Sequence, residues 1–380
     1  MFLIGLELIG LKEQPKALAQ NSVGKEELNA NTIVMFPTNG VGFGHFTRLL
    51  AIAKQMKKLD ESLEVIFFTT MPTLHILKQY GIPAHHISGP KYFKDMETSE
   101  WNALLEEELT LCFETHRPRM FIFDGAFPYR GMLNAIQAQD QLKKVWVRRG
   151  MLRKGASVPI DSIECFDLLV HPGEHLETIH IDEDVGRPVL QSPPIRLLDN
   201  EEMLTRDEAR HRLGIPTDSI AVYVQLGAGQ INDIDSEIRL TLSSLLEHPN
   251  VHVVLGESMI GERISIDLPR VSLLRDYPNS MYFNGFDASV QAGGYNSFHE
   301  MRNSGLPVLF YPNMETGMDD QLARCNIAEE EGWGIVLEKR NKSSISKACK
   351  ELFEMVDTVK LRHYENGAII IATQFLEELV

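Results

Sequence analysis

The sequence predicts an α/β protein made of two doubly wound, parallel-sheet domains that face each other across a cleft. Three observations carry that reading. From residue 31 onward, short apolar runs of β-branched and aromatic residues alternate with longer amphipathic stretches. Strands apolar on both faces need cover on both sides, which crossover helices supply. A proline pair and an acidic stretch interrupt the alternation near residue 193, after which it restarts. Finally, 380 residues are long for one core, at about 150 residues per domain.

In the first half the expected strands are 32–36, 65–68, 120–123, 145–147 and 168–170, the first ending at Pro37. After it, Phe46, Leu49, Leu50, Ala53, Met56 and Leu59 recur at helical spacing, with Lys54, Lys57 and Lys58 off the stripe. Residues 45–59 are therefore expected as an amphipathic helix. Residues 73–80 read as a helix stopped by Gly81. Gln191-Ser192-Pro193-Pro194 and Asp199-Asn200-Glu201-Glu202 combine prolines and charge without an apolar period, which suits a linker. Strands are expected again at 221–226, 251–255, 271–274, 289–292 and 308–311. The expected organisation is an N-terminal extension (1–30), a first domain (31–193), a linker (194–198), a second domain (199–355) and a terminal helix or helices (356–380). That last segment has the pattern to pack on either domain.

Composition narrows the function. The 37 Lys+Arg against 53 Asp+Glu leave a net charge of −16, which argues against a general nucleic-acid binder. Four cysteines, Cys112, Cys165, Cys325 and Cys349, show no paired spacing, and such sparse use fits a reducing compartment. Residues 1–11 are apolar but carry Glu7 and no basic flank, and they are about half the length a bilayer span needs. A cytoplasmic protein is expected, at most peripheral to the membrane.

Ligands of doubly wound sheets bind beyond the carboxyl ends of the strands, and three such loops carry unusual chemistry. In Gly40-Val41-Gly42-Phe43-Gly44-His45-Phe46-Thr47-Arg48, glycines let backbone approach a ligand. His45 opens the following helix, whose dipole disfavours a protonated imidazole and suits it to take a proton from a hydroxyl. The alternative is a glycine turn with a capping histidine. The second loop contains Gly227 and Gly229 and reads equally as a phosphate loop or a tight turn. The third is the most specific: Gly293-Gly294-Tyr295-Asn296-Ser297, then Glu300, Gly305, Pro307, Pro312 and Asp320-Gln321. It would present backbone N–H groups and small polar side chains to a diphosphate and Glu300 to ribose hydroxyls, unless Glu300 is only a dipole-matched helix acid.

The GxGHxxR loop at 42–48 and the GGxxSxxE…GxP…P…DxQ series at 293–321 resemble the nucleotide-sugar glycosyltransferases of the GT-B fold, two Rossmann-like domains facing across a cleft. The likeness is strongest to the group containing the peptidoglycan lipid-intermediate N-acetylglucosaminyltransferase. It implies that Gly293, Gly294, Asn296 and Ser297 border the diphosphate, Glu300 the ribose, Asp320 and Gln321 the donor sugar, and Arg275, Asp276 and Tyr277 the base. It places the donor, expected to be a UDP-sugar, on the second domain and a glycan or lipid-linked acceptor on the first, near Gly42, Gly44 and Arg48. The chain departs from the family at Arg324-Cys325, where Asn-Ala is common, and in having GVGFGH for GGTGGH.

Further candidates lie after other strands. Asp124, before Gly125, is suited to orient His45, to act as base itself, or simply to form a turn. Arg130 and Arg149, with Arg153 and Lys154, offer grips for an acceptor phosphate or carboxylate, a solvated basic loop being the alternative. Asp182-Glu183-Asp184 and Asp233-Ile234-Asp235 read as solvated charge and a helix cap rather than metal ligands. The histidines show no paired-ligand spacing, His85-His86 reads as packing, and no metal or cofactor is expected. Ser297 is not in a nucleophile elbow.

Together these readings predict an inverting, metal-independent hexosyl transfer from a nucleoside diphosphate to an acceptor hydroxyl, in bacterial-type cell-surface glycan synthesis. The alternatives are a nucleotide-sugar epimerase of the same fold and a non-catalytic nucleotide-binding subunit.

Overall fold

The computed structural model describes residues 29–38, 42–148, 160–174, 186–227, 234–257, 259, 265–316, 319–359 and 364–379. Among them the first sheet is built from β1 (Asn29–Pro37), β2 (Glu64–Thr69), β3 (Ala84–His86), β4 (Pro118–Asp124), β5 (Lys143–Val147), β6 (Leu168–Pro172) and β7 (Val189–Ser192). Every pair is parallel, in the order β3-β2-β1-β4-β5-β6-β7. Its helices are α1 (Gly44–Leu59), α2 (Leu74–Gln79), α3 (Thr98–His116), α4 (Arg130–Gln137) and α5 (Ile160–Ile163). Alternation along β1 explains the two cores: Ile33 and Met35 face α1, while Val34 and Phe36 face α3 with Trp101 and Leu105.

The second sheet contains β8 (Ile220–Gln225), β9 (Val251–Gly256), β10 (Val271–Leu274), β11 (Ala288–Ala292), β12 (Val308–Tyr311) and β13 (Gly334–Val336), again all parallel. Their order is β10-β9-β8-β11-β12-β13. Around them lie α6 (Arg206–Leu213), α7 (Ile234–Leu245), α8 (Tyr295–Ser304), α9 (Gln321–Glu330) and α10 (Lys342–Glu354). Each sheet reverses its strand order once, between β1 and β4 and between β8 and β11. Ligand sites of such sheets form at these switch points.

Two expectations about the crossing between sheets are corrected. Gln191 and Ser192, expected to interrupt the pattern, complete β7 by pairing with His171 and Pro172. The expected linker at 194–198 is packed, with Ile195 and Leu197 buried in the first core. One side chain satisfies both backbone groups of Arg196: its N–H donates to Asn366 Oδ1, and Asn366 Nδ2 donates back to its carbonyl, each at 3.0 Å. The last helix, α11 (Gly367–Leu379), then returns to the first domain, burying Ile371, Ala372 and Phe375 against α1. Gly367 is needed there because a Cβ would meet the Pro193 carbonyl. No described helix is long and apolar enough to cross a membrane.

Candidate active site

At the first switch point, Asp124 ends β4 beside the end of β1. Its carbonyl accepts from the Thr38 N–H at 2.9 Å, and Gly125 follows because a Cβ would meet Phe123 and Thr38. The fully buried carboxylate of Asp124 takes two donors from α1. His45 Nδ1 lies 2.7 Å from Oδ1; Arg48 places Nη2 2.6 Å from Oδ1 and Nε 2.9 Å from Oδ2. Burial alone would raise the pKa of Asp124, but the charges of Arg48 and His45 hold it below the ordinary carboxylate value. An ionised carboxylate only accepts, so a hydrogen bond from His45 to Asp124 puts the ring hydrogen on Nδ1 and leaves Nε2 as the basic nitrogen, with Arg48 Nη2, a donor 2.9 Å away, competing for the same Nδ1.

Arg48, expected to border the acceptor, is buried and paired with Asp124. The reason is helical spacing, since residues three apart share a face and Arg48 therefore follows His45 to the same carboxylate. Gly42 and Gly44 lie at the open start of α1, whose N-cap, Phe43, makes no side-chain capping bond. Arg130 stands exposed at the start of α4, 3.5 Å from Asp161. Arg149, Arg153 and Lys154 lie outside the described residues, as do Gly229, Asp233 and the Asp182-Glu183-Asp184 string.

Facing this cluster is the N-terminus of α8, after β11 at the second switch point. Asn296 Nδ2 donates to the Gly44 carbonyl at 3.4 Å, so the starts of α1 and α8 meet. Gly294 is the N-cap and makes no side-chain capping bond, and a Cβ on it would meet nothing within 4 Å. Gly293 differs: a Cβ there would run into Cys325, and its carbonyl accepts from Arg324 Nη1 at 2.9 Å. Ser297 is half-buried in the first turn. Glu300 lies beyond that turn, which holds no acid, so the dipole-matching explanation fails. Burial pushes its carboxyl up to about 7, against the opposing pull of Ser280 and Arg196. Gly227, at φ +100° after β8, holds a conformation that favours glycine.

Four other expected donor residues have internal partners. Asp320 caps α9, accepting from the Ala323 N–H at 3.0 Å, and Gln321 Oε1 accepts from the Asn313 N–H at 2.9 Å. Asp276 accepts from Tyr282 and from the Tyr277 N–H, and Arg275 Nη2 donates to the Met259 carbonyl. Tyr277, expected beside the base, makes a contact between the domains. Its ring packs on Phe43 and Phe46 of the first domain, and its hydroxyl lies 2.9 Å from Thr47 Oγ1.

Two residues escaped sequence reasoning. Glu174, just after β6, is fully buried and accepts from Arg324 Nε and Nη2, both at 2.8 Å. Arg324 also reaches Asp319 at 2.7 Å, so the departure from the family pattern at this position is an anchor between domains. Tyr295 sits between the two arginine clusters. Arg48 lies 5.3 Å and Arg324 5.8 Å from its ring centre, and its hydroxyl donates to the Gly173 carbonyl.

Comparison with known proteins agrees with this architecture. No protein-family model matches the chain. A 139-residue stretch, 34% of the chain, is 27% identical to the sterol 3-beta-glucosyltransferase of Kluyveromyces lactis but spans only 11% of that enzyme. Over 357 residues the chain is 22% identical to the UDP-N-acetylglucosamine–N-acetylmuramyl-(pentapeptide) pyrophosphoryl-undecaprenol N-acetylglucosamine transferase of Clostridium perfringens, covering 87% of this chain and 94% of that one. Among solved structures, the kitacinnamycin glycotransferase superposes with a TM-score of 0.65 at 14% identity, covering 93% of this chain and all of that one. MurG of Acinetobacter baumannii gives 0.58 at 11% identity, over 91% and 99%. The chain has the GT-B fold, two Rossmann-like domains with the cleft between them.

Proposed function

We propose that this protein is a glycosyltransferase that moves a sugar from a nucleoside diphosphate, UDP by preference, to an acceptor hydroxyl. The observation that carries the reading is the meeting of two helix starts without side-chain caps at the two switch points, one bearing His45 on Asp124 and the other opening at Gly294. A helix N-terminus of this kind suits a diphosphate.

In the proposed reaction, His45 Nε2 takes the proton of the acceptor hydroxyl while Asp124 stabilises the imidazolium that forms. The acceptor oxygen bonds to the anomeric carbon as the bond to the diphosphate oxygen breaks on the opposite face, so configuration inverts. Charge developing on the leaving diphosphate is met by the backbone N–H groups at the start of α8. Glu300 accepts from the ribose hydroxyls. Excluding water from the cleft keeps it from competing as acceptor. No metal is assigned a part in these steps.

The acceptor is proposed to be carried on a lipid, in envelope glycan synthesis, because the two curated relatives described above are named for lipid acceptors, a sterol and an undecaprenol. The test is calorimetric titration with UDP-, GDP-, CMP- and dTDP-sugars, wild type beside Glu300→Ala. Selective binding of one donor, weakened by the substitution, supports the assignment. Binding of none by either protein, with or without lipid-linked acceptor, removes it.

A further inference from the structure

Away from the cleft, the fold gathers three side chains that the proposed reaction does not use. Strand β3 pairs with β2 in the register Phe68↔His85 and sends His85 to the side where it stacks over Phe68. Helix α3 covers that face, burying Leu105, Leu109 and Cys112. Cys112 and His116 are four residues apart in α3 and so share one side of its last turn. The donor atoms of His85, Cys112 and His116 all lie within 4.8 Å of one another. The two imidazole Nε2 atoms are 2.8 Å apart. Among the described residues this is the one such group of three or more.

We propose that His85, Cys112 and His116 form a zinc site that staples the edge strand β3 to α3, with a fourth position open to water. One thiolate and two imidazoles suit a borderline-soft tetrahedral ion, whereas calcium and magnesium select oxygen ligands. Zinc–nitrogen bonds of about 2.0–2.1 Å and a zinc–sulfur bond of about 2.3 Å put tetrahedral donors roughly 3.3–3.6 Å apart. The two imidazole nitrogens, 2.8 Å apart, reach that spacing by separating roughly half an ångström, and the Cys112 sulfur, within 4.8 Å of both, closes on them as the metal binds. His85 is exposed, so its ring has room to make the adjustment. Cys112 is 1% exposed, so the ion enters from the histidine side. On binding, the Cys112 thiol gives its proton to solvent and its sulfur bonds the metal. Spacing alone hides the site, because His85 joins from a different element 31 residues before His116.

Metal-free full-length protein is titrated with zinc chloride against a chromophoric chelator, and with cobalt(II) by absorption spectroscopy. The expected result is a single zinc per chain, a higher Tm with zinc, and a cobalt spectrum with tetrahedral d–d bands and a thiolate charge-transfer band. Cys112→Ser removes that band. His85→Gln and His116→Gln weaken zinc binding by more than about 100-fold; neither residue is buried, so circular dichroism should show both variants folded. Absence of stoichiometric zinc binding overturns the proposal. So does unchanged binding in the folded double histidine variant, which would leave the pair a histidine–histidine hydrogen bond.

Discussion

Arg324 and Glu174 meet as a two-bonded fork between the domains, Nε and Nη2 each 2.8 Å from a carboxylate oxygen, with both side chains wholly buried. Neither charge is solvated, so each depends on the other. Asp319 shares the guanidinium and His299 approaches the carboxylate at 3.5 Å.

Glu174→Gln should therefore destabilise the protein by about 3 kcal/mol, since it leaves a buried arginine with one partner fewer. Burial opposes ionisation of Glu174, but Arg324 and His299 overcome it and hold the carboxyl at about 2, below its ordinary 4.5. A depressed folded pKa contributes stability above about pH 4.5 that is lost as pH falls toward 2. Urea midpoints measured across that window should fall more steeply for wild type than for Glu174→Gln. Equal slopes would show that the pair does not carry the acid sensitivity.

Asp124→Asn should lower kcat by roughly 10³- to 10⁴-fold with donor affinity nearly unchanged. An amide can offer a hydrogen to His45 Nδ1, moving the imidazole proton to Nε2 and removing the base. Steady-state rates and donor titration on the same preparation separate this from a folding defect. A loss confined to KM would point to a binding role instead.

The two adjacent glycines should behave oppositely. Gly293→Ala drives a methyl into Cys325 and should cost about 1–3 kcal/mol of stability. Gly294→Ala has room in the folded protein, so its Tm should stay close to wild type while donor affinity falls because the methyl stands where a diphosphate approaches. Thermal melts with and without donor distinguish the two.

Donor affinity should rise with pH. Glu300, raised to about 7 by burial, is largely protonated at pH 6 and ionised at pH 8, and the ionised form is the better acceptor for ribose hydroxyls. Because its folded pKa lies above 4.5, the accompanying stability is full below about pH 4.5 and is lost as pH rises through 7. Glu300→Gln should flatten both profiles between pH 6 and 8. A wild-type binding curve flat in pH would argue against contact between Glu300 and donor.

The alternation of apolar strands and amphipathic helices was legible because strands such as Ile33–Phe36 are buried on both faces and need no partner to declare themselves. The His45 loop and the Gly293-Gly294 turn were legible because each follows a strand directly. What sequence hid was pairing across long separations: Glu174 is an isolated acid until the fold sets it against Arg324, 150 residues away. The pairing of Arg48 with Asp124 is also hidden, although its spacing from His45 places both on one helix face. The packing of Tyr277 on the Phe43 and Phe46 rings is hidden because an aromatic after a strand looks alike whatever it meets.

The central claim is that His45 is the base in sugar transfer. It is tested by following transfer of label from UDP-N-acetylglucosamine, or the donor selected by titration, to a lipid-linked acceptor, in wild type and His45→Ala, with donor affinity measured in parallel. The account predicts a fall in turnover of about 10²- to 10⁴-fold with donor affinity nearly intact. Turnover at the wild-type rate in His45→Ala would contradict it.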